Sequence, residues 1–202
     1  MSLTLSADLM PMQKTKALLE TAAGTALPEW ETLQASFHLH AFSKGESVFA
    51  AGEWQPYLYV VRSGIVKLTY LSEDGQEWIK SFIGEGDFFA CPNVLIAGLK
   101  TDYFATALED CKLEQIDYAQ LKQLMLRYRA WQKATHKLLE WHIVRKEQRE
   151  RELLTMSPEQ RYQAFLKTYP LLSARIQLRD VAHYLGVTAE ALSRIRKRLR
   201  TE

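Results

Sequence analysis

Apolar and polar positions alternate over short distances in the middle of the chain, between residues 37 and 117. Glycine-bearing turns separate the runs, a pattern typical of strands. The pattern predicts strands at residues 37–42, 47–50, 57–62, 65–71, 76–83, 103–108 and 111–117. Asp74 and Gly75 stand between two of these runs and predict a hairpin turn. So many short strands at regular spacing indicate an antiparallel barrel, roll or jelly roll.

The apolar spacing is helical on both sides of this region. Residues 18–36 are predicted to be helical with a break near Gly24 and Pro28, and residues 118–128 form another predicted helix. A capping box, Ser-Pro-Glu-Gln at residues 157–160, opens a helical head. The order of elements predicts an α+β fold with three parts: an antiparallel β-roll domain over residues 1–127, a long helix over residues 128–156 and the head over residues 157–202.

The helix predicted over residues 129–154 is long, close to about 40 Å at the usual rise per residue. Its apolar stripe contains Trp131, Leu138 and Trp141. Because a helix of this length extends beyond a small barrel, we expect the stripe to pair with the same helix of a second copy and form a homodimer. The alternative is that the helix packs back on its own barrel.

The last predicted elements have the pattern of a helix-turn-helix, LRDVAHYLGVTAEALSRIRKRL at residues 178–199. Ala182 permits close approach of two helices, and Gly186 suits the turn between them. Leu192 and Ile195 form an apolar stripe that seats the second helix on the first. This arrangement leaves an outer face that predicts contacts with bases and phosphates, at Thr188, Ala189, Glu190, Ser193, Arg194, Lys197 and Arg198.

The charge distribution agrees with this interpretation. Residues 175–202 hold seven Lys or Arg and three Asp or Glu, a net charge of +4, whereas the whole chain has a net charge of +2. A nearly neutral protein therefore carries its positive potential at one end, which indicates a polyanionic partner such as double-stranded DNA.

The composition excludes several other classes. With 47% apolar and 25% charged residues the chain is typical of a soluble globular protein, and no stretch approaches the roughly 20 apolar residues of a membrane span. We see no secretory pattern at the start and expect a cytoplasmic protein without a membrane partner. Cys91 and Cys111 form no metal-binding cluster, so neither a metal nor another cofactor is predicted.

The order of roll, long helix and helix-turn-helix resembles the Crp/Fnr family of bacterial transcription regulators. The resemblance is carried by residues 42–89, with glycines at Gly45, Gly52, Gly64, Gly75 and Gly86, and by the C-terminal motif. It implies a cyclic-nucleotide-binding-like roll that senses an effector, a dimerisation helix, and recognition helices that enter a palindromic DNA site. It also implies RNA polymerase as a further partner and no enzymatic activity.

The sequence departs from the family's cyclic-nucleotide cassette. Where the family has a ribose-binding glutamate the chain has Cys91, and near Thr101 and Asp102 it lacks the phosphate-binding arginine. Losing a charge-assisted contact to phosphate costs a few kcal/mol, or about two decades of affinity. We therefore expect no tight binding of cyclic AMP or cyclic GMP. The same region is the predicted effector pocket, lined by Ala90, Cys91, Asn93, Thr101 and Asp102.

The base-reading segment of the family is Arg-Glu-x-x-x-Arg, and the chain matches it at Glu190 and Arg194 but has Ala189 at the first position. The resemblance also implies a β-hairpin wing after the recognition helix. The given sequence ends at Glu202, so we expect Arg196, Arg198 and Arg200 to contact the DNA backbone instead.

Two other functions stay open at this point. His38, His40 and Glu46 resemble part of the metal site of cupins, which would make the chain a metal-binding enzyme. A non-DNA-binding adaptor that keeps the fold for dimerisation is the second alternative. Cys91 is also a candidate redox or haem-ligating residue, although a small, partly buried side chain is the simpler interpretation.

Overall fold

The computed structural model describes residues 12–199. The strands are β1 (His38–Phe42), β2 (Ser47–Phe49), β3 (Tyr57–Ser63), β4 (Val66–Leu71), β5 (Glu77–Ile83), β6 (Phe88–Phe89), β7 (Phe104–Ala107) and β8 (Cys111–Asp117). The helices are α1 (Gln13–Ala23), α2 (Trp30–Gln34), α3 (Pro92–Leu95), α4 (Tyr118–Arg127), α5 (Arg129–Thr155), α6 (Pro158–Thr168), α7 (Leu178–Leu185) and α8 (Ala189–Leu199). The predicted α+β fold, a β-roll followed by a long helix and a helical head, is confirmed.

The strands form two antiparallel four-stranded sheets that enclose the interior of the roll. Their orders are β1-β8-β3-β6 and β2-β7-β4-β5. Side chains from both sheets meet in one buried cluster that includes Phe49, Tyr59, Leu68 and Phe89. The Tyr59 and Phe89 rings stack with centroids 5.0 Å apart. Aromatic side chains therefore occupy much of the space between the sheets.

Strand β3 shows how the sequence positions the rest of the chain. Its residues from Leu58 to Val61 are all buried, because both faces of the strand are covered. Tyr59 and Val61 point into the roll, whereas Leu58 and Val60 belong to a second cluster with helices α1, α2, α4 and α5. The helical layer thus lies directly on the outer face of the first sheet.

Helix α1 is tied to this sheet through a buried carboxylate. Glu114 on β8 is fully buried, and one of its oxygens accepts hydrogen bonds from the Thr15 backbone N–H at 2.8 Å and from the Thr15 hydroxyl at 2.7 Å. Arg62 Nη1 lies 3.9 Å from the other carboxylate oxygen. A buried charge with these partners fixes α1 against β8.

The first half of α5 packs on its own chain, which corrects the predicted role of two residues. Trp131 is 0% exposed and Leu138 is 4% exposed, both within the cluster that holds α1 and α2. The Trp131 ring stacks on Trp30, and its Nε1 donates to the Pro28 carbonyl at 2.8 Å. These two side chains are already covered, so they cannot form a surface for a second copy. Trp141, the third residue of the predicted stripe, is half-buried against the same cluster.

The apolar residues that remain exposed on α5 lie mainly in its second half. They are Leu139, Ile143, Val144, Leu153 and Leu154. Some apolar residues of the helix are therefore buried by the rest of the chain and others are exposed. Helical spacing alone does not predict which residues belong to which group.

The head consists of α6, α7 and α8 and packs on the outer face of the second sheet. Ser157 caps α6 through the predicted capping box with Gln160. The Phe82 side chain of β5 packs outside the roll interior, in an aromatic group with Phe165, Tyr169 and Tyr184 of the head. Because the head buries apolar surface on the roll, the division at residues 127/128 and 156/157 into three domains stays a prediction.

Candidate nucleic-acid interface and an adjoining cavity

The turn between α7 and α8 has the geometry that the sequence predicts. Gly186 ends α7 in the left-handed conformation, with φ of 68°, which favours glycine. The next residue, Val187, donates its N–H to the Ala182 carbonyl at 3.0 Å. The Thr188 hydroxyl accepts a hydrogen bond from the Ala191 N–H at 3.2 Å and so caps α8. The two helices are therefore held at a defined angle by local contacts.

The contact between α8 and the rest of the head is apolar and buried. Leu192 is 0% exposed and Ile195 is 4% exposed, and Ala182 on α7 is fully buried opposite them. The small alanine side chain lets α7 and α8 approach closely. Because this stripe fixes the rotation of α8, it also determines which side chains face solvent.

The outward face of α8 brings together five of the seven predicted contact residues. Glu190, Ser193, Arg194, Lys197 and Arg198 are all exposed on it. Thr188 is exposed at the helix start, whereas Ala189 is half-buried and packs against the apolar cluster of the head. Ala189 therefore contributes mainly to packing, and Arg200 lies outside the described residues.

The charges on this face are arranged within one helical turn. The backbone N–H at the helix start, the Thr188 hydroxyl and the Arg194 charge lower the pKa of Glu190. The carboxylate therefore stays ionised at neutral pH and can accept hydrogen bonds beside a guanidinium donor. Arg198 Nη2 lies 3.2 Å from Glu159 Oε2 of α6, which places this arginine at the edge of the face.

Ion pairs join the back of the head to the roll. Arg175 contacts Glu85 through Nη1 at 3.1 Å and Nη2 at 2.6 Å, and it also pairs with Glu109. These hydrogen bonds lower the pKa of Glu85. Lys67 of β4 bridges Glu77 at 2.7 Å and Asp180 of α7 at 3.5 Å. These ion pairs hold α7 and the segment before it against the roll, and none of them uses a residue of α8.

A cavity of about 610 Å³ lies where the roll, α5 and the head meet. Its walls include Lys80 and Tyr103 from the roll, Lys146 and Arg149 from α5, and Tyr184 from the head. This size is within the usual range of about 300–1,000 Å³ for small-molecule sites.

The predicted effector residues occupy a different place. Among the described residues of that set, Ala90 alone lines the cavity. Cys91 is buried with its Sγ 3.8 Å from an Asp102 carboxylate oxygen. Thr101 is buried and donates its hydroxyl to the Ala50 carbonyl at 2.8 Å, and Asn93 lies in α3, where its carbonyl accepts the Leu99 N–H. The hydrogen bonds of Thr101 are used within the roll, so the structure does not gather this set around the large cavity.

Lys80 lines this cavity and was not among the residues predicted from the sequence. Its Nζ lies 3.7 Å from the centroid of the Tyr103 ring and 5.2 Å from that of Tyr70. Burial and the neighbouring Lys146 charge lower the pKa of Lys80 to about 8. The sequence carried one signal: a lysine within the largely apolar run Trp78–Ile83 of a strand predicted to be half-buried.

His142 on α5 faces the same cavity. Burial and the charges of Lys146, Lys80 and Arg145 lower its pKa to about 4. The imidazole is therefore neutral at pH 7, whereas Lys80 keeps its charge at this pH. The cavity consequently has a cationic wall that does not depend on His142.

The histidines of β1 do not assemble into the predicted alternative metal site. His40 Nε2 hydrogen-bonds with the Gln115 side chain, and Glu46 accepts from the Ser43 N–H at 2.8 Å. Within residues 12–199 no group of three or more His, Cys, Asp or Glu side chains could hold a metal ion. In the same range, no helix is both long and apolar enough to cross a bilayer.

Comparison with known sequences finds similar proteins among bacterial regulatory proteins. Residues 39–128 match the family described as cyclic nucleotide-binding domain. The chain is 30% identical over 166 residues to the fumarate and nitrate reduction regulatory protein of Vibrio cholerae, covering 75% of the chain and 64% of that protein. It is 29% identical over 170 residues to the anaerobic regulatory protein of Pasteurella multocida, covering 77% and 60%.

The cAMP-activated global transcriptional regulator CRP of Pasteurella multocida is 28% identical over 98 residues, covering 48% of the chain. The chain spans 47%, 60% and 64% of the lengths of the three relatives named here.

Solved structures share the fold. FixK2 from Bradyrhizobium japonicum has a TM-score of 0.72 at 22% identity, over 82% of this chain and 85% of that chain. The c-di-GMP responsive regulator CLP from Xanthomonas campestris has a TM-score of 0.68 at 19% identity, over 85% and 90%. The arrangement of roll, long helix and head is therefore shared with these solved structures.

Proposed function

The chain belongs to the Crp/Fnr family of bacterial regulators, and from this premise we propose that it is a homodimeric, sequence-specific, DNA-binding transcription regulator. The observation that carries the proposal is the exposed face of α8. It presents an acid and a guanidinium one turn apart, at Glu190 and Arg194, on a helix whose opposite side is seated by Leu192 and Ile195. A helix of this kind fits the major groove of B-DNA.

Direct base recognition is assigned to two side chains. Glu190 accepts from a cytosine amino group, and Arg194 donates two hydrogen bonds to a guanine. Ser193 and Lys197 lie on the same exposed face and contact the sugar-phosphate backbone. Because Ala189 is turned toward the head, the half-site departs from the family's usual one at one base step.

The second copy in this proposal lies against the second half of α5. Ile143 is 51% exposed and Val144 is 63% exposed there, which is unusual for β-branched apolar side chains next to each other. Pairing of two such helices covers them and places the two recognition helices one DNA turn apart, about 34 Å. RNA polymerase is a further partner in this proposal.

The test of DNA recognition compares two alanine variants on a site selected from random DNA. Arg194→Ala should weaken binding to the selected site by about tenfold to a hundredfold and relax its sequence preference. Lys197→Ala should weaken binding to all sequences alike and reduce the salt dependence by about one phosphate contact. Anisotropy titrations at several salt concentrations measure both effects.

The adaptor alternative gives the opposite outcome. A protein that keeps the fold without binding DNA would ignore every pool of oligonucleotides at low ionic strength, where phosphate contacts are strongest. That result would overturn the regulator proposal.

The effector is not a cyclic nucleotide in this proposal. Calorimetric titration with cyclic AMP or cyclic GMP should give no saturable binding below about 10 μM, since the charge-assisted phosphate contact is absent. Saturable binding in that range would contradict this part of the proposal.

A further inference from the structure

Positive charge converges on the cavity between the roll, α5 and the head. Lys80 approaches it from β5, and Arg145, Lys146 and Arg149 approach it from α5. Both arginines already have partners within the chain. Arg145 pairs with Asp87 at 2.5 Å, and the guanidinium of Arg149 lies 3.8 Å from the Tyr184 ring centroid. Lys80 and Lys146 remain as the two cations of the cavity.

These two lysines have no carboxylate partner in the described part of the chain. The contacts of Lys80 are the faces of Tyr103 and Tyr70. The cavity wall also holds two acids: Glu150, which is exposed, and Glu152, whose oxygens are engaged by Gln148 at 2.9 Å and Arg149 at 4.0 Å. Lys146 is exposed, whereas Lys80 is half-buried with no carboxylate in ion-pair contact and only the more distant charge of Asp102 to offset its lost solvation, so an anion in the cavity would stabilise Lys80.

The remaining wall determines the shape of a suitable ligand. Leu68, Ile83 and Phe89 contribute apolar surface from the roll, and Tyr184 contributes an aromatic ring from the head. A site that combines an apolar wall with few charged groups binds a molecule with one charged end and an apolar body.

We propose that this cavity binds a small organic anion with a flat apolar body, whose charged group lies between Lys80 and Lys146. The ligand would touch all three parts of the chain, because the head itself supplies Tyr169, His183 and Tyr184 to the cavity wall. Its designation as the effector rests on the proposed regulator function, whereas its binding does not.

The test uses a matched pair of probes, 2-naphthoate and 2-naphthamide, which have nearly the same shape and differ in charge. At pH 7 the full chain should bind one 2-naphthoate saturably, about tenfold to a hundredfold more tightly than 2-naphthamide. Lys80→Met should remove this preference by weakening only the anion, and Lys80→Arg should retain it. Calorimetry and ligand fluorescence give both affinities.

Lys112→Met is the matched control, because Lys112 is exposed on β8 and does not line the cavity. It should leave both affinities unchanged. If Lys80→Met does not fold, as judged by its thermal transition, Lys146→Met supplies the same test from the other side of the cavity.

Equal affinity for the two probes, or an unchanged preference in Lys80→Met, would overturn the inference. DNA binding is measured separately on the same proteins. If the unsubstituted chain recognises DNA but shows no preference for the anion, only the cavity assignment is rejected. If it prefers the anion but does not recognise DNA, only the proposed function is rejected.

Discussion

The two halves of α5 carry similar apolar residues and have different surroundings. In the first half Trp131 and Leu138 are buried under α1 and α2, and Trp131 hydrogen-bonds to the Pro28 carbonyl. In the second half Ile143 and Val144 are exposed. The first half therefore contributes to the stability of its own chain, whereas the second half keeps exposed apolar side chains that we propose to pair with a second copy. Because apolar burial does not specify the partner, an apolar stripe is by itself compatible with both roles.

The largest expected effect is a loss of stability caused by a substitution in the buried first half of α5. Trp131→Ala should lower the free energy of unfolding by about 3–5 kcal/mol, because it leaves a cavity beside Trp30 and removes a hydrogen bond. Urea denaturation monitored by circular dichroism measures the change. Leu126→Ala is the control, since Leu126 is 78% exposed on α4 and should change stability by no more than about 0.5 kcal/mol. A loss below about 1 kcal/mol for Trp131→Ala would contradict the assignment of this half to the core.

The next effect tests the uncovered half. The double variant Ile143→Glu, Val144→Glu should raise the dissociation constant of the proposed dimer by at least about a hundredfold, close to 2.7 kcal/mol, because four unpaired carboxylates would meet in the interface. Sedimentation equilibrium measures it. The unfolding free energy of the isolated chain should change little, since both side chains are exposed within one copy. A native chain that is monomeric at high concentration, or a variant that stays dimeric, would exclude this surface.

The smallest effect concerns the contact between the second half of α5 and the head. Arg149 stacks on Tyr184 and donates to the Tyr184 carbonyl. Arg149→Met should cost about 1–2 kcal/mol and increase hydrogen exchange in α7, because the stacked cation and its hydrogen bond are lost.

The matched control for Arg149→Met is Arg145→Met, one turn earlier on the same helix. Arg145 is in an exposed pair with Asp87, so its loss should cost at most about 1 kcal/mol and leave α7 exchange unchanged. Equal exchange in the two variants would mean that Arg149 does not hold the head.

Much of the fold was predictable because local patterns specify local structure. The predicted strands correspond to β1–β5, β7 and β8, and Gly186 ends α7 at the predicted turn. Strand β6 and helix α3 were missed, since two and four residues are too few to show a period. Alternation puts Trp78 and Phe82 on the same face of a strand, yet Trp78 is 43% exposed and Phe82 is buried by the head instead of the roll.

The candidate sites divide in the same way. The exposed face of α8 was predictable residue by residue, with Ala189 as the exception, because a short amphipathic helix has one apolar side. The cavity could not be predicted from the sequence. Lys80, Lys146 and Tyr184 are far apart along the chain and come together only when α5 and the head pack on the roll.

The sequence by itself determined the kinds of element, their order and the residues that a recognition helix presents to solvent. Those properties depend on periodicity, capping and turn chemistry, which act over a few neighbouring residues. The tertiary structure decided which apolar stripe is covered by which partner, and where unpaired charges converge. Burial and electrostatic interaction depend on distance in space, and residues separated by a hundred positions, such as Trp30 and Trp131, become neighbours only in the folded chain.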